Sequence, residues 1–241
     1  MKSRYLIACL TLWGFTSCNL IADYTLGDMA ERRVNLPTSF EKMDLKSSFH
    51  VTLFQDSVSF VLVKCPEKLL DDIDIKTQNN ILSIRENVKS RWLKDYPIIE
   101  IELHLTELPM IEIRQPCRLN IPNTFKSQNF YLVDWGKYVD CTANIDVDLL
   151  VINVSDNNFG TYRIQGQAEN ATLHAHGAAL MDLSQTKIKY CNAIQNSNAT
   201  MAIWVTDSIK VDITSSGDVY LKGNPIVELN CQSTGTLINV H

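Results

Sequence analysis

The run Val211-Asp212-Ile213-Thr214-Ser215-Ser216-Gly217-Asp218-Val219-Tyr220-Leu221-Lys222-Gly223-Asn224-Pro225-Ile226-Val227-Glu228-Leu229 decides the fold. Apolar and polar residues alternate in Val211–Ile213, in Val219–Leu221 and in Val227–Leu229, so every second side chain falls on one face of an extended strand. Ser216-Gly217 between the first two strands has the chemistry of a turn. The same arrangement recurs upstream and downstream, with turn residues at Gln115-Pro116, Trp135-Gly136, Asn157-Asn158, His176-Gly177, Asn196-Ser197 and Thr234-Gly235. Their spacing is roughly 20 residues, the signature of a stacked array. Each turn separates two alternating strands, as Ile111-Glu112-Ile113 from Leu119-Asn120-Ile121 and Leu150-Val151-Ile152-Asn153-Val154 from Thr161-Tyr162-Arg163-Ile164. One such unit cannot bury its apolar face alone, whereas stacked units share a continuous core. The expected fold is therefore all-β, a parallel β-solenoid with two strands per unit. The competing architecture is a β-sandwich, which also strings short strands between frequent turns. The longer repeat favours the solenoid.

Working toward the amino terminus, the alternation persists in Met43-Asp44-Leu45-Lys46, Phe49-His50-Val51-Thr52-Leu53, Ile73-Asp74-Ile75-Lys76 and Ile99-Glu100-Ile101-Glu102-Leu103. Short breakers such as Gln55-Asp56-Ser57, Gln78-Asn79-Asn80 and Leu108-Pro109 separate them. A Pro at 66 followed by Glu67, Lys68 and two Leu suits a single helical turn. No other stretch beyond the first 18 residues reads as a helix of any length.

Residues 1–18 read as a signal peptide, with Lys2 and Arg4 as its basic start and Tyr5–Phe15 as its apolar core. Phe15-Thr16-Ser17-Cys18 resembles a bacterial lipobox, in which small residues precede a Cys that is lipidated and becomes the new amino terminus. Phe15 stands where Leu is usual. Several acyl chains, each methylene contributing about 0.8 kcal/mol, hold a domain durably at a bilayer. Residues 19–33 then read as a tether, 34–109 as an N-terminal strand region of the same solenoid and 110–241 as the repeat solenoid proper. A net charge of −5 offers no general attraction for nucleic acid or anionic lipid, so neither is an expected partner of the body of the protein.

Chemistry is sparse. No Walker, dinucleotide or G-x-S-x-G pattern is present. The pairs Glu100/Glu102 and Asp146/Asp148 sit on one strand face each, as any half-exposed strand shows, and Arg163, Lys187, Lys189, Lys210 and Lys222 are scattered over separate units. His174 and His176 share a face and could form half a metal site, but no third ligand at a recognisable spacing completes it. Cys65, Cys117, Cys141, Cys191 and Cys231 lack C-x-x-C spacing and sit in apolar or alternating surroundings, so they read mainly as buried thiols, with one disulfide as the alternative. Expected catalytic residues, metals and cofactors are none. Phe130-Tyr131, Trp135 and Tyr138 cluster within one unit and could meet a ligand, with Tyr131, Trp135 and Tyr138 as the ligand-facing rings; packing in the core or at an edge is the other use of such residues.

The segment Ser215–Pro225, followed by Cys231-Gln232-Ser233-Thr234-Gly235-Thr236-Leu237-Ile238, resembles the closing repeats of the auto-transporter adhesin, head GIN domain family, abundant among Bacteroidetes envelope lipoproteins. Phe40–Leu45 and Phe49–Leu53 are similar to that family's first two strands, and the likeness extends over about residues 34–241. Most of the family's Gly-Ser-Gly turns are replaced here, and Asn157, Asn158, Asn196 and Asn198 are available where a turn needs positive φ. The resemblance implies a right-handed β-helix without catalytic residues and a role in adhesion. The expectation is thus a lipid-anchored, non-enzymatic adhesion or scaffolding rod of the cell envelope, at the outer membrane, with palmitate on Cys18. The alternative is a carbohydrate-binding or carbohydrate-active β-helix. Expected partners are the membrane through the anchor, a glycan or protein ligand, and a second copy of the chain where a parallel edge is left open.

Overall fold

Alternating sequence specifies strands but not their partners, and the structure shows two modes of pairing. This computed structural model describes residues 26–88 and 97–240. It is 70% strand and 3% helix, with about 6 stacked parallel coils. Residues 1–18, read from sequence as a signal peptide ending at Cys18, lie outside the described residues.

The first half contributes β1 (Met29–Asn35), β2 (Lys42–Leu45), β3 (Phe49–Gln55), β4 (Phe60–Pro66), a 3-10 turn (Glu67–Asp72), β5 (Ile73–Gln78), β6 (Ile81–Glu86), β7 (Ile99–Leu105) and β8 (Met110–Ile113). β2 lies between β6 and β8, and β3 between β7 and β9, all in parallel. The earliest rung in sequence is thus sandwiched between two later ones. β4 runs antiparallel to β7 and β1 antiparallel to β4, while β5 runs antiparallel to β6. These strands cover the outer edge of the last parallel rung, an edge that would otherwise offer unpaired backbone groups. The short helical turn forms where Pro66 precedes it, as expected. Residues 29–33, read from sequence as tether, instead belong to β1, because alternating Glu31 and Arg33 with Ala30 and Arg32 suits an edge strand against β4. The 34–109 region is likewise only partly solenoid: β2, β3, β6 and β7 make rungs, and β4 and β5 make the cover.

Beyond it, β9 (Cys117–Asp134), β10 (Val139–Val154), β11 (Thr161–Gly177), β12 (Leu180–Ser197) and β13 (Met201–Ile213) stack in sequence order and in parallel. β14 (Val219–Lys222) and β15 (Ile226–Cys231) continue onto β13, and β16 (Leu237–Val240) onto β14. Each coil is one long extended segment rather than two separate strands. Its alternation breaks where successive residues both face outward, as at Glu169-Asn170 and Lys189-Tyr190, and there the chain turns a corner while the strand continues. At another corner Gly166 has φ +114 and its missing Cβ would strike the carbonyl oxygen of Ile145, so only glycine fits.

Like residues stack through the core. One column runs Leu119–Cys141–Tyr162–Met181–Met201–Val219–Leu237, another Leu132–Ile152–Leu173–Ala193–Val211–Leu229. The column members from Leu119 to Val219 and from Leu132 to Val211 are buried. The turns repeat a device too: a side-chain oxygen accepts the backbone N–H two residues on, from Gly136 to Asp134 Oδ1 (2.5 Å), Gly160 to Asn158 Oδ1 (2.6 Å) and Ala199 to Ser197 Oγ (3.0 Å). Of the four asparagines available for positive φ, only Asn157 (φ 55) adopts it; Asn158 serves as a turn acceptor instead. The buried Asp134 carboxylate also accepts Asn158 Nδ2 (2.7 Å) and the Tyr162 hydroxyl (2.5 Å), tying three successive rungs together. All five described cysteines are free, with Cys65, Cys117, Cys141 and Cys191 buried and Cys231 exposed, so the disulfide alternative is not realised.

Candidate functional site

Three aromatic rings stand out of the turns at the head of β10 and β11. Trp135 is 51% exposed, Tyr138 59% and Phe159 55%. Large rings left this open on rigid turns are unusual, since their burial would stabilise the fold. Their backbones are pinned: Trp135 N–H donates to the Ile113 carbonyl at 2.8 Å and Phe159 N–H to that of Lys137 at 2.7 Å. Tyr138 and Phe159 stack at 5.3 Å between centroids with 10° between planes. Trp135 and Tyr138 were legible from sequence. Phe159 was not, because only the stacking of one coil on the next sets it beside Tyr138. Tyr131 is placed elsewhere, half-buried within β9 in register with Val151, and its neighbour Phe130 is a core residue.

Tyr138 and Phe159 precede Asp140 and Thr161 by two residues, the spacing that keeps side chains on one strand face. That face continues into a trough of about 380 Å³ across β7, β3, β9 and β10. One row along it is Thr52, Asn120 and Thr142, each in register with the next. Glu102 stands at one end of this row and Arg163 at the other. Charged groups wall the trough. On the amino-terminal side Lys64 Nζ meets Glu102 at 3.1 Å and Glu31 at 3.6 Å, and His104 bridges Glu102 (2.9 Å) and Asp56 (3.0 Å) through its two ring nitrogens. The His104 ring is stacked on Phe60 at 4.1 Å, and the Arg33 guanidinium lies 3.6 Å from the other ring centroid of that stack, Phe60. The hydrogen bond from His104 holds the Glu102 carboxyl below its ordinary range; Asp56 is held low first by the Ser57 backbone N–H and then by His104. On the other side Arg163 and Arg118 approach Asp140 at 3.2 and 3.7 Å.

The remaining sequence candidates are dispersed. His174 and His176 point outward from β11, where Asn196 and Asp156 approach His176 Nδ1 at 3.1 and 3.2 Å. Burial, and then His176, pushes the His174 imidazole below its ordinary value. No group of three or more His, Cys, Asp or Glu able to hold a metal occurs among the described residues. Lys189 pairs with Glu169 and Lys210 with Glu228, Lys222 Nζ lies 4.2 Å over the Trp204 ring, and Asp146 accepts a bond from Gln167. Glu100 and Glu102 do share a site, the trough. What the surface offers chemically is hydrogen bonding, ring stacking and balanced charge.

Among the described residues no helix is long and apolar enough to cross a membrane. Several solved structures share the fold. A protein titled a "putative adhesin" from Bacteroides fragilis matches with TM-score 0.77 and 18% identity over 88% of this chain and 97% of its own. A second so titled, from Parabacteroides distasonis, has TM-score 0.70 and 14% identity over 89% and 98%. A third, titled a "putative lipid binding protein" and from the same species, has TM-score 0.62 and 14% identity over 89% and 98%. At such identities the likeness shows the fold alone. No curated protein matches the sequence. Residues 39–225 match the family described as "Putative auto-transporter adhesin, head GIN domain", a span that takes in the sandwiched first rung, the β4 and β5 strands of the antiparallel cover and all the long coils. The chain therefore belongs to the auto-transporter adhesin, head GIN domain family.

Proposed function

We propose that the protein is a non-enzymatic adhesion module of the cell envelope, held at the outer membrane by lipid on Cys18. The observation that carries this reading is the set of Trp135, Tyr138 and Phe159, three rings kept in water on hydrogen-bonded turns of a rigid rod. Exposed aromatics of this kind supply contact area at little conformational cost and are enriched where proteins bind partners. Membership of a family described as adhesins supports the same role, as do two fold relatives described as "putative adhesin". The lipobox-like Phe15-Thr16-Ser17-Cys18 supports the anchor, and an acidic body is suited to standing off an anionic bilayer.

The test uses whole cells. Metabolic lipid labelling is compared between wild type and Cys18→Ala, intact cells are treated with protease, and attachment to host-matrix surfaces is measured for wild type and for Trp135→Ala/Tyr138→Ala/Phe159→Ala. Label that depends on Cys18, shaving of the rod from intact cells, and loss of attachment in the triple variant at equal surface level are expected. Label without shaving would put the rod in the periplasm and sink the adhesive role.

A further inference from the structure

On several outward rows of the rod, polar side chains bond one another from rung to rung. Thr124 bonds Asn144, Gln167 bonds Asp146, Ser215 bonds Asn198 and Asn230 bonds Asp212. The row Thr52–Asn120–Thr142 departs from this. Among the described residues these three side chains have no hydrogen-bond partner, although they occupy three adjacent rungs of the trough. Their neighbours His50 and Glu100, also in register with each other, are likewise unpaired there. The walls on both sides, by contrast, are tied up in the Lys64–Glu102–His104–Asp56 chain and the Arg118–Asp140–Arg163 group.

We infer that this trough binds a neutral oligosaccharide lying along the rod axis. Hydroxyl and amide groups that both donate and accept are the complement of sugar hydroxyls, which do the same. Rungs lie about 4.8 Å apart, so an extended chain along the axis meets a fresh polar group at each rung, in a repeat close to that of a pyranose chain. Charge selects against an acidic polymer: Lys64, Arg118 and the adjoining Arg163 are balanced by Glu100, Glu102 and Asp140, which leaves no field of one sign. At the head of β10 and β11 the stacked Tyr138 and Phe159 offer a flat apolar surface to the C–H face of a sugar ring at the rim. The volume of about 380 Å³ suits a few sugar units rather than a folded protein surface. The inference names the ligand class for the adhesive role proposed above and rests on that role for its biological use, not for its chemistry.

The experiment follows backbone amide shifts of the purified mature chain during titration with cellohexaose, mannohexaose and chitohexaose, and with oligogalacturonate of equal length as the anionic probe. Wild type is compared with Thr52→Val/Thr142→Val, which keeps side-chain shape and strand preference while deleting two hydroxyls, and with Tyr138→Ala/Phe159→Ala. At least one neutral hexasaccharide is expected to shift amides of β3, β9 and β10, with binding weakened about tenfold in the valine variant and oligogalacturonate inert. If the valine variant does not fold, judged by its circular dichroism, Asn120→Ser serves in its place and the same weakening is expected. The inference is overturned if no neutral probe moves those amides at about 10 mM, if the valine variant binds as well as wild type, or if oligogalacturonate is preferred. Sugar binding by a protein whose cells do not attach would support this inference while removing the adhesive role. Attachment that survives with no sugar binding would overturn this inference and leave that role standing.

Discussion

The two ends of the rod are built from the same alternating strands yet treat their edges differently. At the amino-terminal end β7 is paired on both sides, by β3 in parallel and by β4 antiparallel, and Leu103 in it is fully buried. At the carboxyl end β15 pairs with β13, and no second partner for it occurs among the described residues. There Ile226 is 80% exposed and Leu229 47%. Leu229 continues the very column that buries Leu132, Ile152 and Leu173. The lesson is that a residue's place in the repeat sets which way it points, and only a covering rung decides whether pointing inward contributes stability.

The largest expected effect tests that lesson directly. Leu103→Ala should lower the unfolding free energy by about 3 kcal/mol, whereas Leu229→Ala should cost less than about 1 kcal/mol, read by chemical denaturation. Equal losses would break the comparison and place a partner over the carboxyl end. Next in size is the seam between rungs at the middle of the rod. Asp134→Ala leaves Asn158 Nδ2, the Tyr162 hydroxyl and two backbone N–H groups without their buried acceptor, and about 3 kcal/mol should be lost. Tyr162→Phe removes one donor only and should cost about 1 kcal/mol. The reverse order would mean that the ring rather than the carboxylate organises the turn.

Thiol chemistry sharpens the contrast further. Burial pushes the Cys117 and Cys191 thiols up to about 12 and raises those of Cys65 and Cys141 as well, so they stay protonated and shielded at neutral pH. Of the five cysteines after residue 33, Cys231 alone should react with a thiol reagent in the native protein, and the other four only after unfolding. Reaction of Cys117 or Cys191 at the native rate of Cys231 would show that the coils open. The smallest effects are in pH. Asp56 and Glu102 have lowered values, so the stability they contribute is present above the ordinary carboxylate range and is lost as pH falls through their folded values. At the other end, Glu228 raises the Lys210 value; that contribution is present below the ordinary lysine value and is lost as pH rises past the folded one. Wild type should therefore lose its advantage over Glu102→Gln in acid and over Lys210→Met in alkali, both differences being small because Lys210 is exposed and Glu102 is only half-buried. A Glu102→Gln variant that loses stability in parallel with wild type down to about pH 3 would break the amino-terminal half of the argument.

Much of the fold is legible in the residues, and particular positions show where legibility stops. Val211, Ile213, Val219 and Leu221 alternate with polar residues, and turns fall about every 20 positions; because an unstacked unit exposes its apolar face, stacking follows. The antiparallel cover is invisible at this level, since the two-residue period of β4 and β5 is the same whether a strand's neighbour runs parallel or antiparallel. The insertion of β2 and β3 between later rungs is hidden for the same reason. Of the site, Trp135 and Tyr138 could be picked out as rings beside a turn, but Tyr131 could not be told from them before its strand was placed.

By itself the sequence determined the strand content, the inward and outward sides, the turn positions and the amino-terminal lipobox-like segment, because each is encoded within a few neighbouring residues. The tertiary structure alone decided which strands meet, and therefore that Phe159 lies on Tyr138 and that Thr52, Asn120 and Thr142 form one unpaired row from positions up to 90 residues apart. Register between distant segments is set by the packing of the whole core, to which every coil contributes, and no local pattern holds it.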